Sequence, residues 1–296
     1  MPPPGHLRVL RAGLAIAALA AGVVSATVGH GPQDPMFSAG DAYERFMGRW
    51  SSQLAPLLVR FAGVLDGDDV LDVGSGTGAL AVAVARAGPR TRVLGVELSP
   101  SYVAFARARH GSDRIGFEEG DAQKLPLNDR RFDRALSLLV LNFIPDPAKA
   151  LAEMARVTRA GGTIAAAVWD YGEGMEMLRV FWDEAIALSP GKASLDERHM
   201  PLCRQGELAA LWREQGLQDI SETALTIETR FATFDDYWSP FVEKQGPAGA
   251  YVAALTPKER EVLRLRVRRR LLGEGGERPI VLHARAWAVR GTTPPR

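Results

Sequence analysis

Three alternating glycines follow a short apolar segment in residues 70–78, which read V-L-D-V-G-S-G-T-G. A strand that runs into such a turn and then into a helix presents backbone N–H groups to a bound nucleotide. Gly74 and Gly76 would permit a sharp bend and close approach of a ligand, and Gly78 would let a helix over residues 79–87 pack on the strand. A plain loop also uses glycine, but the strand before this one and the Ala/Val-rich helix after it favour a cofactor site.

Asp72, two residues before the first glycine, bears on which cofactor the turn holds. The pattern Gly74-x-Gly76-x-x-Ala79 also fits the relaxed dinucleotide fingerprint, so the glycines alone leave NAD or NADP possible. A carboxylate here disfavours a pyrophosphate by like-charge repulsion and favours a cationic ligand. S-adenosylmethionine has an ammonium, a sulfonium and no phosphate, and Asp72 therefore favours it.

Two further acids stand where strands are predicted to end. Glu97 comes about twenty residues after the glycines, where a carboxylate can accept from two vicinal hydroxyls. Asp121 follows a predicted strand over 114–118, and its carboxylate would accept from an adenine amino group. The alternatives are a solvated carboxylate for Glu97 and a turn-forming Gly-Asp pair for Asp121.

These segments resemble, in order, the motifs of class I S-adenosylmethionine-dependent methyltransferases, in the branch that includes ubiquinone and menaquinone biosynthesis enzymes. The matching segments are 71–78, 93–97, 120–122, 132–143 and 159–162, within a region from about 43 to 170. Ser75 stands where the family often has cysteine, and Ala160 replaces the usual proline of a turn. The order of the segments makes the resemblance more specific than any one motif.

The resemblance implies a Rossmann-like α/β fold: a seven-stranded, mostly parallel sheet with an antiparallel last strand, helices on both faces and helical lid insertions. It also implies S-adenosyl-L-methionine as the cofactor. The residues it places around that cofactor are Tyr43, Asp72, Gly74, Ser75, Gly76, Gly78, Glu97, Leu98, Asp121, Ala122, Ser137 and Leu138.

The periodicity of the chain agrees with alternating strands and helices from residue 41 to 170. An amphipathic helix is expected over 43–61, broken near Pro56, and a long helical region over 234–272 before a last strand at 280–290. The segments 171–204 and 231–276 exceed what sheet connections need, and we expect them to form a lid over the cofactor. Their aromatic residues would line an acceptor pocket or pack as a second core.

Candidates for proton transfer are few. Asp170 and Tyr171 follow the fifth predicted strand, and His199 lies in the expected lid. Each would be able to deprotonate an acceptor hydroxyl, whereas Asp170 would equally cap the next helix and His199 a loop. The catalytic group therefore stays unknown at this stage. His283 and the basic run 264–270 are expected to be structural, the run forming a polar helix face opposite Leu263, Val267 and Leu271.

The composition limits the classes of partner that we expect the protein to bind. The 296 residues are 46% apolar and 24% charged with a formal charge of +1, which gives no indication of nucleic-acid binding. The single cysteine, Cys203, excludes an internal disulfide, and no metal-ligand pattern accompanies it. We expect a reducing, cytoplasmic location, while the oligomeric state is not predicted.

Residues 1–35 are expected to lie outside the fold, which would occupy 36–296. His6, Arg8 and Arg11 precede an apolar run over 12–28, a pattern typical of a secretory signal or, less well, of a membrane anchor. Translation starting at Met36 is the third reading. The folded domain itself is not expected to insert into a membrane.

The sequence thus predicts a methyltransferase that acts on a small-molecule or lipid-like acceptor, mainly by positioning. An NAD(P)-dependent oxidoreductase and a non-catalytic cofactor-binding protein are the alternatives.

Overall fold

The computed structural model describes residues 47–244 and 246–295. Tyr43 and the whole of 1–35 lie outside the described residues. The described chain divides into two compact units, of which the first comprises 47–168, 205–225 and 287–295, and the second 169–204 and 226–286. Each unit is considered by itself.

A seven-stranded sheet is the framework, with strand order β3-β2-β1-β4-β5-β7-β6. Its strands are β1 (Asp69–Val73), β2 (Arg92–Glu97), β3 (Ile115–Glu119), β4 (Phe132–Leu138), β5 (Thr158–Trp169), β6 (Gln218–Phe231) and β7 (Ile280–Thr292). The pairs β1–β2, β1–β4, β2–β3 and β4–β5 are parallel. The predicted Rossmann-like fold, mostly parallel with an antiparallel last strand, is confirmed.

Helices alternate with the strands of the first unit: residues 79–85 are apolar throughout, whereas residues 147–157 repeat apolar positions at helical spacing. The helices of the first unit are α1 (Arg49–Ala62), α2 (Ala79–Ala85), α3 (Pro100–His110), α4 (Pro147–Val157) and α6 (Glu207–Glu214). Those of the second unit are α5 (Glu176–Leu188), α7 (Phe234–Val242), α8 (Gly246–Ala254) and α9 (Pro257–Leu272). The helical region expected over 234–272 is therefore three helices, and a capping box at Thr256 and Glu259 starts the last one.

Pro56 does not break the first helix, and the expectation of a break there is wrong. Helix α1 continues from Arg49 to Ala62 through Pro56. A proline inside a helix costs about 3 kcal/mol because one hydrogen bond is lost and its ring crowds the preceding turn. The buried face of α1, with Trp50, Leu54 and Leu58 at 1% exposure or less, offsets that penalty.

Two arginines hold the C-terminal end of α1 within the first unit. Arg134 of β4 donates to the carbonyl of Ala62 at 2.9 Å, and Arg290 of β7 donates to the carbonyl of Phe61 at 2.8 Å. Cations are favourable at a helix C-terminus, where the last carbonyl groups lack helical partners. The last strand is thereby tied to the first helix.

The second unit has an aromatic core. Phe181 of α5 stacks on Phe241 of α7 with ring centroids 4.4 Å apart, and the ring of Trp182 lies 5.5 Å from that of Tyr251. Aromatic residues of the segments 171–204 and 231–276 are buried, namely Phe181, Trp182, Phe234, Tyr237, Trp238, Phe241 and Tyr251. These mutual contacts are the ones expected if the aromatic residues pack as a second core.

The basic run on α9 is neutralised inside the second unit. Arg264 pairs with Asp235, Arg266 with Glu184, and Arg270 with both Asp183 and Glu184. On the opposite face Leu263 and Val267 are buried, but Leu272 takes the buried position expected of Leu271, which is half-exposed. Helix α9 ends at Leu272.

Candidate functional site

The glycine turn after β1 has the backbone that its sequence requires. Gly74, Gly76 and Gly78 have φ angles of 73°, 51° and 97°, in the left-handed region that favours glycine. A Cβ atom on Gly74 would lie 2.5 Å from the Val140 side chain, so the turn also needs glycine for space. A Cβ atom on Gly76 would meet nothing within 4 Å. The turn is therefore packed at Gly74 and open at Gly76.

Glu97 at the end of β2 is fastened to this turn. Its Oε2 accepts the Gly76 N–H at 3.0 Å and its Oε1 accepts the Ser99 N–H at 2.9 Å. The Val96 carbonyl accepts from both Gly74 and Ser75, which fixes the turn on the neighbouring strand. Each carboxylate oxygen of Glu97 keeps a second lone pair for a ligand, the arrangement needed to accept from paired hydroxyls.

Asp72, near the end of β1, is a buried carboxylate without a partner. It is 1% exposed and neither of its oxygens has a hydrogen-bond partner. Burial raises its pKa to about 8; the Ala81 amide lowers this pKa, although it does not lie in normal hydrogen-bond geometry, and the charge of Glu97 raises it further. An unpartnered buried carboxylate is costly, and a cationic ligand would compensate it.

The end of β4 supplies the other side of the site. The buried hydroxyl of Ser137 donates to the Val73 carbonyl at 2.9 Å, so this residue joins β4 to the end of β1. Leu138 is buried, and Leu139 has a φ of 64°, a conformation that a branched side chain adopts only under constraint. Because strand order reverses between β1 and β4, this is the crevice where α/β proteins bind ligands.

Asn142, which the sequence analysis did not select, lies on a 3-10 turn just after β4. It is 5% exposed, and neither its amide oxygen nor its amide nitrogen has a partner. The available signal was one polar residue in the apolar run 138–144. An isolated asparagine in a loop is common, so that signal did not stand out.

The residues expected around adenine lie at the ends of β2 and β3. Asp121 forms a turn, since its Oδ1 accepts the backbone N–H of Gln123 at 2.8 Å, while its Oδ2 has only a 3.5 Å contact with the Gln123 amide. Ala122 is half-exposed, and Leu98 is 64% exposed. The turn-forming role of Asp121 leaves one oxygen available to a ligand.

A family model described as a methyltransferase domain matches residues 71–166, which contain this turn and the ends of β1 to β4. This stretch of the chain is therefore a methyltransferase domain.

Several relatives match this chain over part of their length. An uncharacterized protein of Mycobacterium tuberculosis is 34% identical over 136 residues, 45% of this chain and 48% of that protein. The erythromycin 3''-O-methyltransferase of Saccharopolyspora erythraea is 40% identical over 92 residues, 30% of each chain. The ubiquinone/menaquinone biosynthesis C-methyltransferase of Bdellovibrio bacteriovorus is 36% identical over 109 residues, 36% of this chain and 46% of that enzyme. The chain spans about half the length, or less, of these curated relatives.

A solved structure has the same fold. Phosphoethanolamine N-methyltransferase 2 of Haemonchus contortus, in complex with S-adenosyl-L-methionine, superposes with a TM-score of 0.53 at 19% identity. The match covers 88% of this chain and 57% of that one.

The proton-transfer candidates belong to the second unit and lie outside the residues that the family model matches. The Asp170 carboxylate accepts from Arg285 at 2.5 and 2.9 Å and caps a turn through the Glu173 N–H at 3.0 Å. Tyr171 is buried, while His199 is exposed with its Nδ1 3.4 Å from Arg204. The structure thus gives Asp170 an ion-pairing role, and a role of any of the three as a base stays a prediction.

Neither a metal centre nor a spanning helix accompanies this domain in residues 47–244 and 246–295. No group of three His, Cys, Asp or Glu residues there is arranged to hold a metal ion, and Cys203 is buried. Within the same residues, every helix is too short or too polar to cross a bilayer. The apolar run 12–28 and Tyr43 lie outside them.

Proposed function

We propose that this protein transfers a methyl group from S-adenosylmethionine to a small-molecule or lipid-like acceptor, mainly by positioning the two reactants. The observation that carries the proposal is Asp72, the buried carboxylate without a partner beside an open glycine turn. A dinucleotide would bring a pyrophosphate to this carboxylate, whereas S-adenosylmethionine brings an ammonium group.

The residues on the four strand ends would divide the cofactor among them. Glu97 would accept from the ribose hydroxyls, and Asp121 with Leu98 would contact adenine on the β3 side. Asp72 and Asn142, at the β1/β4 crevice, would meet the amino-acid end and the reacting centre. Their unpartnered polar atoms supply the acceptors and donors that such a ligand needs.

S-adenosylmethionine, when bound, supplies a methyl group that is already electrophilic because it is attached to a sulfonium. The chain's own task is to hold the acceptor in line and exclude water. Orientation of this kind contributes about 7 kcal/mol or more, while a general base contributes about 10²- to 10⁴-fold. Asp170 is already paired with Arg285, which supports an account without an obligatory base.

The names of two relatives bear on the acceptor class. One relative is named for oxygen methylation and another for carbon methylation, and both are named for small or lipid-like products. The formal charge of +1 and the ion-paired arginines of α9 do not favour a nucleic acid. We therefore propose the chemical class and leave the acceptor atom to experiment.

Calorimetry tests the proposal directly. We expect binding of S-adenosylmethionine and S-adenosylhomocysteine and none of NAD or NADP. Tight NAD binding would instead indicate an oxidoreductase. Isotopic methyl transfer from labelled cofactor to small-molecule extracts then tests catalysis, and cofactor binding without transfer to any extract would indicate a non-catalytic binding protein.

We further propose that residues 36–296 form the functional domain and that it acts in the cytoplasm, where its cofactor is made. A chain lacking residues 1–35 should bind the cofactor as the full chain does. Mass spectrometry of the native N-terminus separates the readings: Met36 indicates a later start, Thr27 a cleaved signal, and Met1 in the membrane fraction an anchor.

A further inference from the structure

Glu197 in the second unit is a buried carboxyl outside the candidate site. It begins the 3-10 turn Glu197–His199 and is 8% exposed. The indole N–H of Trp182 on α5 donates to its Oε2 at 2.6 Å. Its Oε1 lies 3.8 Å from the position that a Cβ atom on Gly246, at the start of α8, would occupy. The carboxyl therefore lies among the turn, α5 and α8.

The preceding residue, Asp196, is buried in a contrasting way. Its carboxylate accepts from Arg179 at 2.6 and 3.0 Å and from Nε of Arg198 at 2.6 Å. The Arg198 backbone N–H donates to it as well, at 2.9 Å. Arg179 and the Nε of Arg198 therefore donate to Asp196. Glu197 instead accepts the neutral indole N–H of Trp182.

The charged groups around Glu197 act in opposite directions. Burial raises the pKa of Glu197 to about 7; the Trp182 hydrogen bond and the Arg179 charge lower it, and the Asp196 charge raises it. Helix α8 has no residue that is charged near neutral pH. The remaining ionisable residues on α5, on the preceding turn Pro190–Leu195 and on the turn itself are Glu176, Asp183, Glu184, Lys192, Arg198 and His199.

We propose that Glu197 is a pH-sensitive latch: its neutral carboxyl helps to hold residues 190–204 against α5, and its ionisation favours their release. A carboxyl with one indole donor is compatible with burial when neutral, but the ionised form lacks a cation of its own. Opening of residues 190–204 would let water solvate the ionised Glu197 carboxylate. The released segment includes His199.

The direction of the pH effect follows from the linkage between protonation of Glu197 and closure of the segment. A carboxyl whose pKa is raised from 4.5 in the open state to about 7 in the closed state favours closure fully below pH 4.5. That contribution is lost as the pH rises through 7. The opening equilibrium of the segment should therefore increase about tenfold or more between pH 5.5 and 8.

Hydrogen exchange on the full-length chain measures this opening. The amides of Lys192, Asp196 and Met200 are hydrogen-bonded within the segment and report its closure. After correction for intrinsic exchange rates, their protection should fall about tenfold or more from pH 5.5 to 8 in the wild type. In Glu197→Gln, which keeps an oxygen for Trp182, the protection should not change with pH.

Two variants control the experiment. Glu243→Gln removes an exposed carboxyl of the same unit and should retain the wild-type pH dependence. His199→Gln removes an exposed imidazole of the same segment, which makes no contact with the Glu197–Trp182 pair in the hydrogen bonds described, and should retain it too. A pH dependence that persists in Glu197→Gln, that is absent from the wild type, or that disappears in His199→Gln would overturn the latch.

Discussion

The two units bury carboxylates in different ways. In the first unit Asp72 has no hydrogen-bond partner, while in the second Asp170 is paired with Arg285 and Asp196 with two arginines. Asp68, the other buried carboxylate of the first unit, is paired with Arg134 at the opposite end of β1. A partnered carboxylate serves the fold, whereas an unpartnered one beside an open turn indicates a ligand site. The comparison distinguishes Asp72 from the buried ion-paired acids without reference to sequence motifs.

The strongest test concerns the turn itself. Gly74→Ala should lower the free energy of unfolding by about 3 kcal/mol, since the new Cβ would overlap Val140 and the backbone has positive φ. Gly76→Ala on the same turn should cost about 1 kcal/mol, because only backbone strain applies there. Urea denaturation monitored by fluorescence measures both. Equal effects of the two substitutions would show that the turn is not packed on one side and open on the other.

The second test asks whether the paired acid is dispensable for the chemistry. Once an acceptor is known, Asp170→Asn and His199→Ala should each reduce kcat by less than about a hundredfold, as positioning predicts. Steady-state kinetics over a range of pH measures this. A larger loss with unchanged cofactor affinity and a missing lower pH limb would identify that residue as the base.

The third test concerns the acid that fastens the turn. Glu97→Ala should weaken S-adenosylmethionine binding by about 2 kcal/mol or more, because charge-assisted hydrogen bonds to the ribose would be lost. Glu118→Ala, an exposed acid on the adjacent β3, is the matched control and should leave the affinity unchanged. Unchanged calorimetric affinity in Glu97→Ala would reject the assignment of the ribose contact.

The fourth test uses the pKa of Asp72, about 8 without a ligand. A cationic ligand favours the ionised form, so binding releases a proton and the affinity should rise about tenfold or more from pH 6 to 8. Asp72→Asn in the same buffers reports the titration of the ligand alone and should show a smaller slope. Identical slopes in calorimetry would mean that Asp72 does not meet the cation.

The smallest effect is expected at an ion pair of the second unit. Arg269 and Glu274 are joined at 3.1 Å, and their side chains are 75% and 86% exposed. Exposed pairs contribute about 0–1 kcal/mol, so Arg269→Ala should change the free energy of unfolding by less than about 0.5 kcal/mol. A loss above 1 kcal/mol in thermal or urea unfolding would show that exposed pairs matter to this unit.

Much of the first unit could be predicted because its signals are local. The strand, glycine turn and helix over 69–85 follow from alternating glycine and apolar periodicity, and the spacing of Glu97 from the turn follows from one βαβ unit. The break at Pro56 was wrong because burial of a whole helix face outweighed a local propensity. Local propensity therefore predicts an element correctly where tertiary packing does not oppose it.

The features that could not be predicted depend on burial. Asn142 and Glu197 look in the sequence like ordinary loop residues, and only the apolar run 138–144 around Asn142 suggests that either side chain is buried. Which arginine pairs with which acid on α9 likewise depends on tertiary contacts between segments far apart in the chain. Sequence periodicity reports faces of elements, whereas the partners of a buried polar group are set by the complete fold.

The tie between Arg290 and the end of α1 has a consequence for synthesis on the ribosome. The partners Arg290 and Phe61 are 229 residues apart, and strand β7 enters the first unit only from residue 287 onward. The second unit has all its residues by position 286, so its nascent chain is complete before that of the first. Although N-terminal domains usually fold first, here the unit that begins the described chain must wait for its last strand.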